Sequence, residues 1–168
     1  MMEGKRILDT SVVIAQMMIP QDANPAGNIH GGVIMKLIDT AAGVAASRHA
    51  RSHVVTASID RLDFHCPVYI GDLVFFRASI NMVGRTSMEV GVKVESENLL
   101  TGEVRHTSSA YLTYVALDAN GRPHEVPPLI LESEEDIRRN RKAKTRRETR
   151  LIEKKREAGG RQDPGSLR

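Results

Sequence analysis

Residues 24–39 contain the groups in this chain that are best suited to take part in a reaction. A polar loop ends in Gly31-Gly32, an apolar helix-like pattern follows at once, and a single carboxylate, Asp39, stands seven residues further on. Glycines at a helix start leave backbone N–H groups open to a ligand, and the helix dipole favours negative charge there. A carboxylate in an apolar stretch is costly to bury unless it is paired or used. These parts predict a site at which water attacks a polarised carbonyl group.

The elements that position these residues are one helix and several strands. Apolar residues from 33 to about 49 follow helical spacing around most of the circumference, which is typical of a buried helix. Strands are predicted at residues 5–19, 54–66, 73–83, 86–97 and from the turn at 101–102 to about residue 117. We expect an α+β fold in which one central helix is wrapped by a curved five-stranded antiparallel sheet. The polar outer face of residues 86–97 and the small side chains of the helix favour pairing of the sheet with a second copy.

Composition and charge divide the chain into three segments. We expect a folded domain over residues 1–130, a charged helix over 131–157 and a disordered end over 158–168. Residues 138–168 have a net charge of +9, whereas the remainder has a net charge of −6. Such a basic segment is typical of a solvated helix, a phosphate-binding arm or a nucleic-acid contact. Because it contains no aromatic residue on which bases could stack, we do not expect nucleic acid as a partner.

Composition also bears on location and on metal binding. The lone cysteine, Cys66, cannot form an internal disulfide, which suits a reducing compartment, and we expect it to be a packed thiol. No N-terminal stretch has a signal-peptide layout, and no apolar run reaches the roughly 18 residues of a membrane helix. We therefore expect a cytoplasmic protein without membrane contact. The six histidines lack metal-ligand spacing, so no metal site is expected.

Several motifs, in order along the chain, resemble the hotdog-fold acyl-CoA thioesterases. They are the loop Asn24-x-x-Gly27-x-x-His30-Gly31-Gly32, the acid Asp39, the strand 54–60, Pro67-x-x-x-Gly71-Asp72, and segments 84–90 and 98–103. The resemblance is to the cytosolic, brain-type acyl-CoA hydrolases and their bacterial relatives, and it covers about residues 5–128. It implies a hotdog fold and an enzyme that hydrolyses fatty acyl-CoA to free fatty acid and coenzyme A.

The same resemblance implies a role for each matching residue. Asp39 corresponds to the catalytic acid, acting as general base on water or as nucleophile, and Thr56 supplies a supporting hydroxyl. Asn24 orients the water or the thioester, and the amides of Gly31 and Gly32 polarise the carbonyl. In this family the site forms between two protomers, so Asn24 and Asp39 of one site come from different chains. The implied assembly is a homodimer as the minimal unit, in a trimer of dimers.

Coenzyme A carries three phosphate groups, which require Arg, Lys or backbone N–H partners. Arg85 is the leading candidate because it lies in a predicted turn between two strands. The full set of substrate-binding candidates is His30, Arg61, Gly84, Arg85, Thr86 and Ser87, with Arg146, Arg147 and Arg150 of the basic segment as further cations. We expect no metal or redox cofactor, since coenzyme A is part of the substrate.

Two other classes of function stay open on the sequence alone. A hotdog enoyl-CoA hydratase would use an Asp and a His in one loop. Asp22 is present, but Gly27 stands where the His is expected, and His30 comes three residues too late. A non-enzymatic acyl-CoA-binding or nucleic-acid-binding protein would use the basic segment. Loss of hydrolysis with retained acyl-CoA binding would favour that last class.

Overall fold

A five-stranded antiparallel sheet and a 20-residue helix form the body of the molecule. The computed structural model describes residues 2–160. In chain order the elements are β1 (Lys5–Arg6), α1 (Ile7–Thr10), β2 (Val12–Met17), a 3₁₀ turn (Pro20–Asp22), α2 (Gly31–Ala50), β3 (His53–Phe64), β4 (Asp72–Val83), β5 (Ser87–Asn98), β6 (Val104–Leu117), β7 (Leu129–Ile130) and α3 (Glu134–Gly160). The strand order is β2-β4-β5-β6-β3, with every neighbouring pair antiparallel. This arrangement confirms the predicted fold.

Helix α2 contacts all five strands of the sheet, but only on one side. Most of its buried residues are small or aliphatic, which lets the helix backbone approach the sheet closely: Ile34, Ile38, Ala41, Ala42, Ala45 and Ala46. They pack with inward residues of the central strands such as Val90 and Leu112. The opposite side of α2 is exposed and includes Met35 and Val44. In the single chain, therefore, only about half of the helix circumference is buried, which is less than the sequence predicted.

The prediction of one strand over residues 5–19 is wrong. β1 pairs in parallel with β7 as a separate two-stranded sheet, and one helical turn, α1, separates it from β2. The Ser11 hydroxyl donates to the carbonyl oxygen of Ile7 at 2.8 Å, and the Thr10 hydroxyl lies 3.4 Å from the same oxygen. Hydroxyls that bond back to the preceding turn compete with strand pairing, which explains the break.

Helix α3 packs on the outer face of the sheet. Ala143 is fully buried, and Asn140 Nδ2 donates to the backbone oxygen of Asn81 on β4 at 2.9 Å. On β5, the side chain of Glu89 has no solvent exposure and pairs with Arg146. The outer face of residues 86–97, which we expected to meet a second copy, is thus partly covered by the chain's own helix.

The end of α3 differs from the sequence prediction. The helix continues to Gly160, so residues 158–160 are helical rather than disordered. The rest of the segment predicted to be disordered, residues 161–168, lies outside the described residues.

Strand β3, one edge of the sheet, contains two bulges that the sequence did not predict. Its inward residues lie opposite buried residues of β6: Val54 opposite Ala116, Thr56 opposite Tyr114, Ile59 opposite Leu112, and Leu62 opposite Ala110. Ala57 and Asp60 are the extra residues, which have no partner in this register. Each bulge adds one residue and so shifts the alternation by one position. The inward residues are therefore even-numbered before the first bulge, odd-numbered between the two, and even-numbered again after the second.

Candidate active site

The carboxylate of Asp39 lies in an open groove between α2 and β3. The groove has a volume of about 520 Å³ and is lined by residues that include Thr40, Val44 and Val54. Asp39 Oδ1 accepts hydrogen bonds from Thr56 Oγ1 and from the Tyr114 hydroxyl, each at 2.7 Å. Within residues 2–160, no donor reaches Asp39 Oδ2. The second oxygen therefore keeps its lone pairs for a water molecule or an electrophilic carbon.

The two hydroxyls meet at Asp39 because Thr56 and Tyr114 are cross-strand partners on β3 and β6. Directly opposite residues of an antiparallel pair have Cβ atoms about 5 Å apart, close enough to bind one shared atom. The Tyr114 hydroxyl also lies 2.8 Å from the backbone oxygen of Asp39. The structure thus brings together Asp39 and Thr56 as expected and adds Tyr114 as a third member.

Tyr114 was not among the residues predicted from the sequence. Only 2% of the residue is exposed, and it occupies an inward position of β6 like any core residue of that strand. Burial, together with the Asp39 carboxylate, raises the pKa of Tyr114 well above its ordinary value. The phenol therefore stays protonated at neutral pH and acts as a donor. The alternation of the strand predicts a core position for Tyr114, and no further pattern in the sequence distinguishes it from the other core residues.

The start of α2 has one open N–H group rather than two. His30 is the N-cap of the helix, and its Nδ1 accepts a hydrogen bond from the Gly32 N–H at 3.0 Å. The Gly32 amide is therefore already satisfied, and His30 serves to orient the loop. The Gly31 N–H has no acceptor among the described residues, so it is the amide left to polarise a carbonyl.

Asn24 is held in the loop that precedes α2. Its Oδ1 accepts a hydrogen bond from the Ala26 N–H at 2.9 Å, and its own backbone N–H donates to Asn28 at 2.8 Å. This Asx-turn uses the side-chain oxygen and leaves the amide NH₂ group as the part that can meet a ligand. Asn24 lines a pocket together with Gly31 and the half-buried Cys66.

Asp39 is absent from that pocket, so the predicted site residues form two separate groups in one chain. Gly31 and Asp39 are eight positions apart on the same helix. At a rise of 1.5 Å per residue, this corresponds to about 12 Å along the axis. A reacting thioester would have to lie within about 3 Å of both groups. One chain alone therefore cannot assemble Asn24, Gly31 and Asp39 around a single carbonyl.

The candidates for coenzyme A binding lie elsewhere on the surface. Gly84 starts the β4–β5 turn, where its N–H donates to the backbone oxygen of Ser87 at 2.7 Å. The Arg85 side chain is 81% exposed and only loosely paired with Glu125, at 3.6 Å. Arg61 is also exposed and pairs with Asp63 two residues along β3.

Thr86 of this turn and the arginines of α3 have different partners. The backbone oxygen of Thr86 accepts a hydrogen bond from Ala116 at 2.9 Å. Arg146 and Arg150 pair with the carboxylates of Glu89 and Asp60 on the sheet. Arg147 instead reaches the β4–β5 turn, where its Nη1 lies 3.1 Å from the position that a Cβ on Gly84 would take.

Asp22, the residue on which the hydratase alternative depends, has a structural role. Its carboxylate accepts a hydrogen bond from the Ile19 N–H at 3.1 Å and so closes the 3₁₀ turn. In the part of the chain that the structure describes, no three His, Cys, Asp or Glu side chains converge as metal ligands would. No helix in that part is both long and apolar enough to span a membrane.

Comparison with known proteins identifies the family. The model described as the thioesterase superfamily matches residues 26–103. Protein VdlD of Helicobacter pylori is 40% identical over 141 residues, which are 84% of this chain and 80% of that protein. The uncharacterized acyl-CoA thioester hydrolase YkhA of Bacillus subtilis is 42% identical over 129 residues, which are 77% of this chain and 75% of that protein. The chain belongs to the thioesterase superfamily. The mouse cytosolic acyl coenzyme A thioester hydrolase is 35% identical over 76% of this chain, which spans 34% of that longer protein.

Solved structures of acyl-CoA thioesterases and hydrolases share the fold over most of this chain. The acyl-CoA hydrolase from Bacillus cereus has a TM-score of 0.88 at 38% identity and covers 94% of this chain and 96% of that one. An apo-hexameric acyl-CoA thioesterase has a TM-score of 0.87 at 38% identity, and the match covers 90% of this chain and 97% of that one. The acyl-CoA hydrolase from Staphylococcus aureus has a TM-score of 0.84 at 31% identity, and the match covers 95% of this chain and 99% of that one. That structure is a complex with butyryl coenzyme A, coenzyme A and coenzyme A disulfide. Further structures are variants of the S. aureus enzyme with alanine in place of one aspartate, asparagine or threonine.

Proposed function

We propose that this protein is an acyl-CoA thioesterase that hydrolyses fatty acyl-CoA to the free acid and coenzyme A. The observation that carries the proposal is the Asp39 carboxylate, which two hydroxyls orient through Oδ1 while Oδ2 faces an open groove. The residues replaced in the S. aureus variants stand the same distances apart in sequence as Asn24, Asp39 and Thr56 do here. This spacing supports a role for the same three residue types in hydrolysis.

In the proposed reaction, the Gly31 N–H donates to the thioester carbonyl oxygen and the Asn24 NH₂ group helps to orient the reactants. As general base, Asp39 takes a proton from water while the water oxygen forms a bond to the carbonyl carbon. The negative charge that develops on the carbonyl oxygen is stabilised by the Gly31 N–H. The intermediate then expels the thiolate of coenzyme A, which receives the proton from Asp39. As nucleophile, Asp39 would instead attack the carbonyl carbon, and the C–S bond would break to release the thiolate of coenzyme A. Water would then hydrolyse the resulting acyl anhydride to the free acid and the Asp39 carboxylate, and the proton released would pass to the thiolate.

The proposed site is shared between two chains. The exposed side of α2 presents Met35, Thr40 and Val44 beside Asp39. If two copies of this helix pack antiparallel with Met35 near the two-fold axis, Gly31 of the partner subunit lies opposite Asp39. Such an isologous contact would also bury the apolar side chains of the exposed face. It follows that a monomer should be inactive.

Larger assembly, cofactor use and location follow the relatives. The apo-hexameric acyl-CoA thioesterase supports a trimer of these dimers. The mouse relative, named as cytosolic, supports a cytoplasmic location. The proposed steps use only protein groups and water, so extended dialysis against a chelator should leave activity unchanged. Arg85 and Arg147, on either side of Gly84, are the proposed cations for the phosphates of coenzyme A.

A free-thiol assay of the purified chain with a panel of acyl-CoAs tests this function. Asp39→Asn keeps the shape of the side chain and removes the base, so kcat should fall by about 10² or more while acyl-CoA binding persists. Asp9→Asn is the matched control, because the Asp9 carboxylate makes an exposed ion pair with Arg6 and does not line the groove. Absence of thiol release by the unmodified protein with every acyl-CoA would refute the function. Near-normal turnover in folded Asp39→Asn would remove Asp39 from the mechanism.

A further inference from the structure

Helix α3 makes polar contacts with four successive strands of the sheet. From β4 to β3 they are Asn140 Nδ2 to the Asn81 backbone oxygen (2.9 Å), Arg146 to both carboxylate oxygens of Glu89 (2.6 and 3.2 Å), Arg146 over the Tyr111 ring (3.7 Å to the centroid), and Arg150 to the carboxylate of Asp60. A merely solvated helix would not direct its cations at successive strands. The last contact is with β3, the strand that presents Thr56 to the proposed site.

Asp60 is the extra residue of the second bulge in β3, and both of its carboxylate oxygens are occupied. Ser58 Oγ donates to Oδ1 at 3.0 Å, and Arg150 Nη1 donates to Oδ2. The side chains of Arg150 and Asp60 are only 25% and 15% exposed. Their attraction is therefore screened less by water and salt than that of an exposed pair.

The first bulge, at Ala57, lies between Thr56 and Ser58. A bulge interrupts the ladder of backbone hydrogen bonds, so the orientation of neighbouring side chains depends more on other contacts. A slip of one residue would turn Thr56 away from the inner face. Arg150 and Asp60 thus anchor the outer side of the irregular segment whose inner side presents Thr56 to Asp39.

We infer that Arg150 is a positioning residue for hydrolysis, acting through Asp60 and Ser58 on Thr56. The inference rests on the proposed thioesterase function. It assigns to the basic helix a role in arranging the site, which differs from a role in binding the phosphates of coenzyme A. The two roles predict different kinetic changes. Loss of a positioning residue, which need not touch the substrate, should lower kcat, whereas loss of a phosphate contact should raise KM.

The test compares Arg150→Gln with Arg138→Gln in the full chain. Arg138 is the matched control because its ion pair with Glu135 lies within α3 itself. Thiol release is measured with butyryl-CoA and with butyryl-pantetheine, which lacks the nucleotide. Arg150→Gln should lower kcat about tenfold on both substrates with KM little changed, since small misplacements of reacting groups are costly. Arg138→Gln should match the unmodified protein.

Two further variants remove other contacts in the series Arg150–Asp60–Ser58. Asp60→Asn should lower kcat as Arg150→Gln does, and the double variant should be no worse than either single one. Ser58→Ala breaks the last link without touching α3, so it tests the inference even if Arg150→Gln fails to fold. Thermal unfolding and size-exclusion chromatography check folding and assembly.

Three outcomes would overturn the inference. The first is a rise in KM for butyryl-CoA alone with kcat unchanged in Arg150→Gln, which would make Arg150 a nucleotide contact. The second is normal kcat in folded Arg150→Gln, Asp60→Asn and Ser58→Ala. The third is additive losses in the double variant, which would mean that the two residues act independently. With an active unmodified protein, each outcome contradicts this inference and leaves the proposed function intact. An inactive unmodified protein contradicts the proposed function itself.

Discussion

In the proposed mechanism, the two oxygens of the Asp39 carboxylate have different tasks. Oδ1 is fixed by Thr56 and Tyr114, each at 2.7 Å, whereas Oδ2 is available for chemistry. Two donors on one oxygen restrict rotation of the carboxylate, so little conformational freedom remains to be lost when the reaction occurs. Tyr114 contributes more rigidity than Thr56 because its ring is packed in the core.

Replacing Tyr114 by Phe tests this arrangement. A hydrogen bond to a charged group contributes about 1.5–3 kcal/mol, so loss of the hydroxyl should lower kcat by about tenfold or more. Tyr111→Phe is the control, because Tyr111 lies on the outer face of the same strand and keeps its contact with Arg146 through the ring. Unchanged kcat in Tyr114→Phe, with the fold intact by circular dichroism, would show that Thr56 alone orients Asp39.

The sequence predicts this part of the site unevenly. Asp39 stands out because a lone carboxylate in an apolar helix is unusual, and Thr56 follows from its motif. Tyr114 could not be predicted, since its contact with Asp39 depends on which residue of β6 lies opposite Thr56 across a bulged strand. The capping of Gly32 by His30 is likewise a matter of side-chain rotamer that spacing does not reveal.

At the scale of elements, the end of α2 is anchored by a buried histidine. His49 is fully buried, and its Nε2 donates to the backbone oxygen of Pro127 at 2.8 Å. Its Nδ1 is buried with no partner among the described residues. Burial therefore lowers the pKa of His49, because a proton on Nδ1 would create a charge without a partner.

This contact predicts a loss of stability on mild acidification. The unfolded chain binds a proton on His49 below its ordinary pKa of about 6.5, whereas the folded chain resists it. The free energy of unfolding should therefore fall as the pH drops below about 6.5. Thermal unfolding at pH 7.5 and 5.5 should show this fall, and His49→Gln, whose amide can still donate to Pro127, should reduce it. An equal fall in both proteins would assign the effect to other groups.

The elements themselves were largely predictable, whereas their contacts were not. Alternation and helical spacing gave α2 and the four long strands, because these patterns follow directly from one-sided burial. The docking of α3 was missed because Arg146 and Arg150 resemble solvated cations, and their partners Glu89 and Asp60 resemble surface acids. Only the three-dimensional crossing of the helix over the sheet brings these opposite charges together.

Under the proposed function, a single chain holds two separate parts of one site. The pocket of Asn24 and Gly31 and the groove of Asp39 are separate, and the helical rise between Gly31 and Asp39 is about 12 Å. Apolar side chains are exposed on both elements that flank the groove, among them Val44 on α2 and Ile59 on β3. An edge strand and an exposed apolar helix face are together typical of a surface that meets another chain.

Subunit complementation tests the shared site most directly. Asn24→Ala and Asp39→Asn chains, each inactive alone, are mixed in equal amounts and allowed to exchange, with exchange verified by mass spectrometry of differently labelled chains. Half of the dimers should be mixed, and each mixed dimer should contain one intact site, so about one quarter of the unmodified activity should return. The unmixed variants taken through the same procedure are the control. Activity no higher than that of the unmixed variants, after verified exchange, would contradict a site built from two chains.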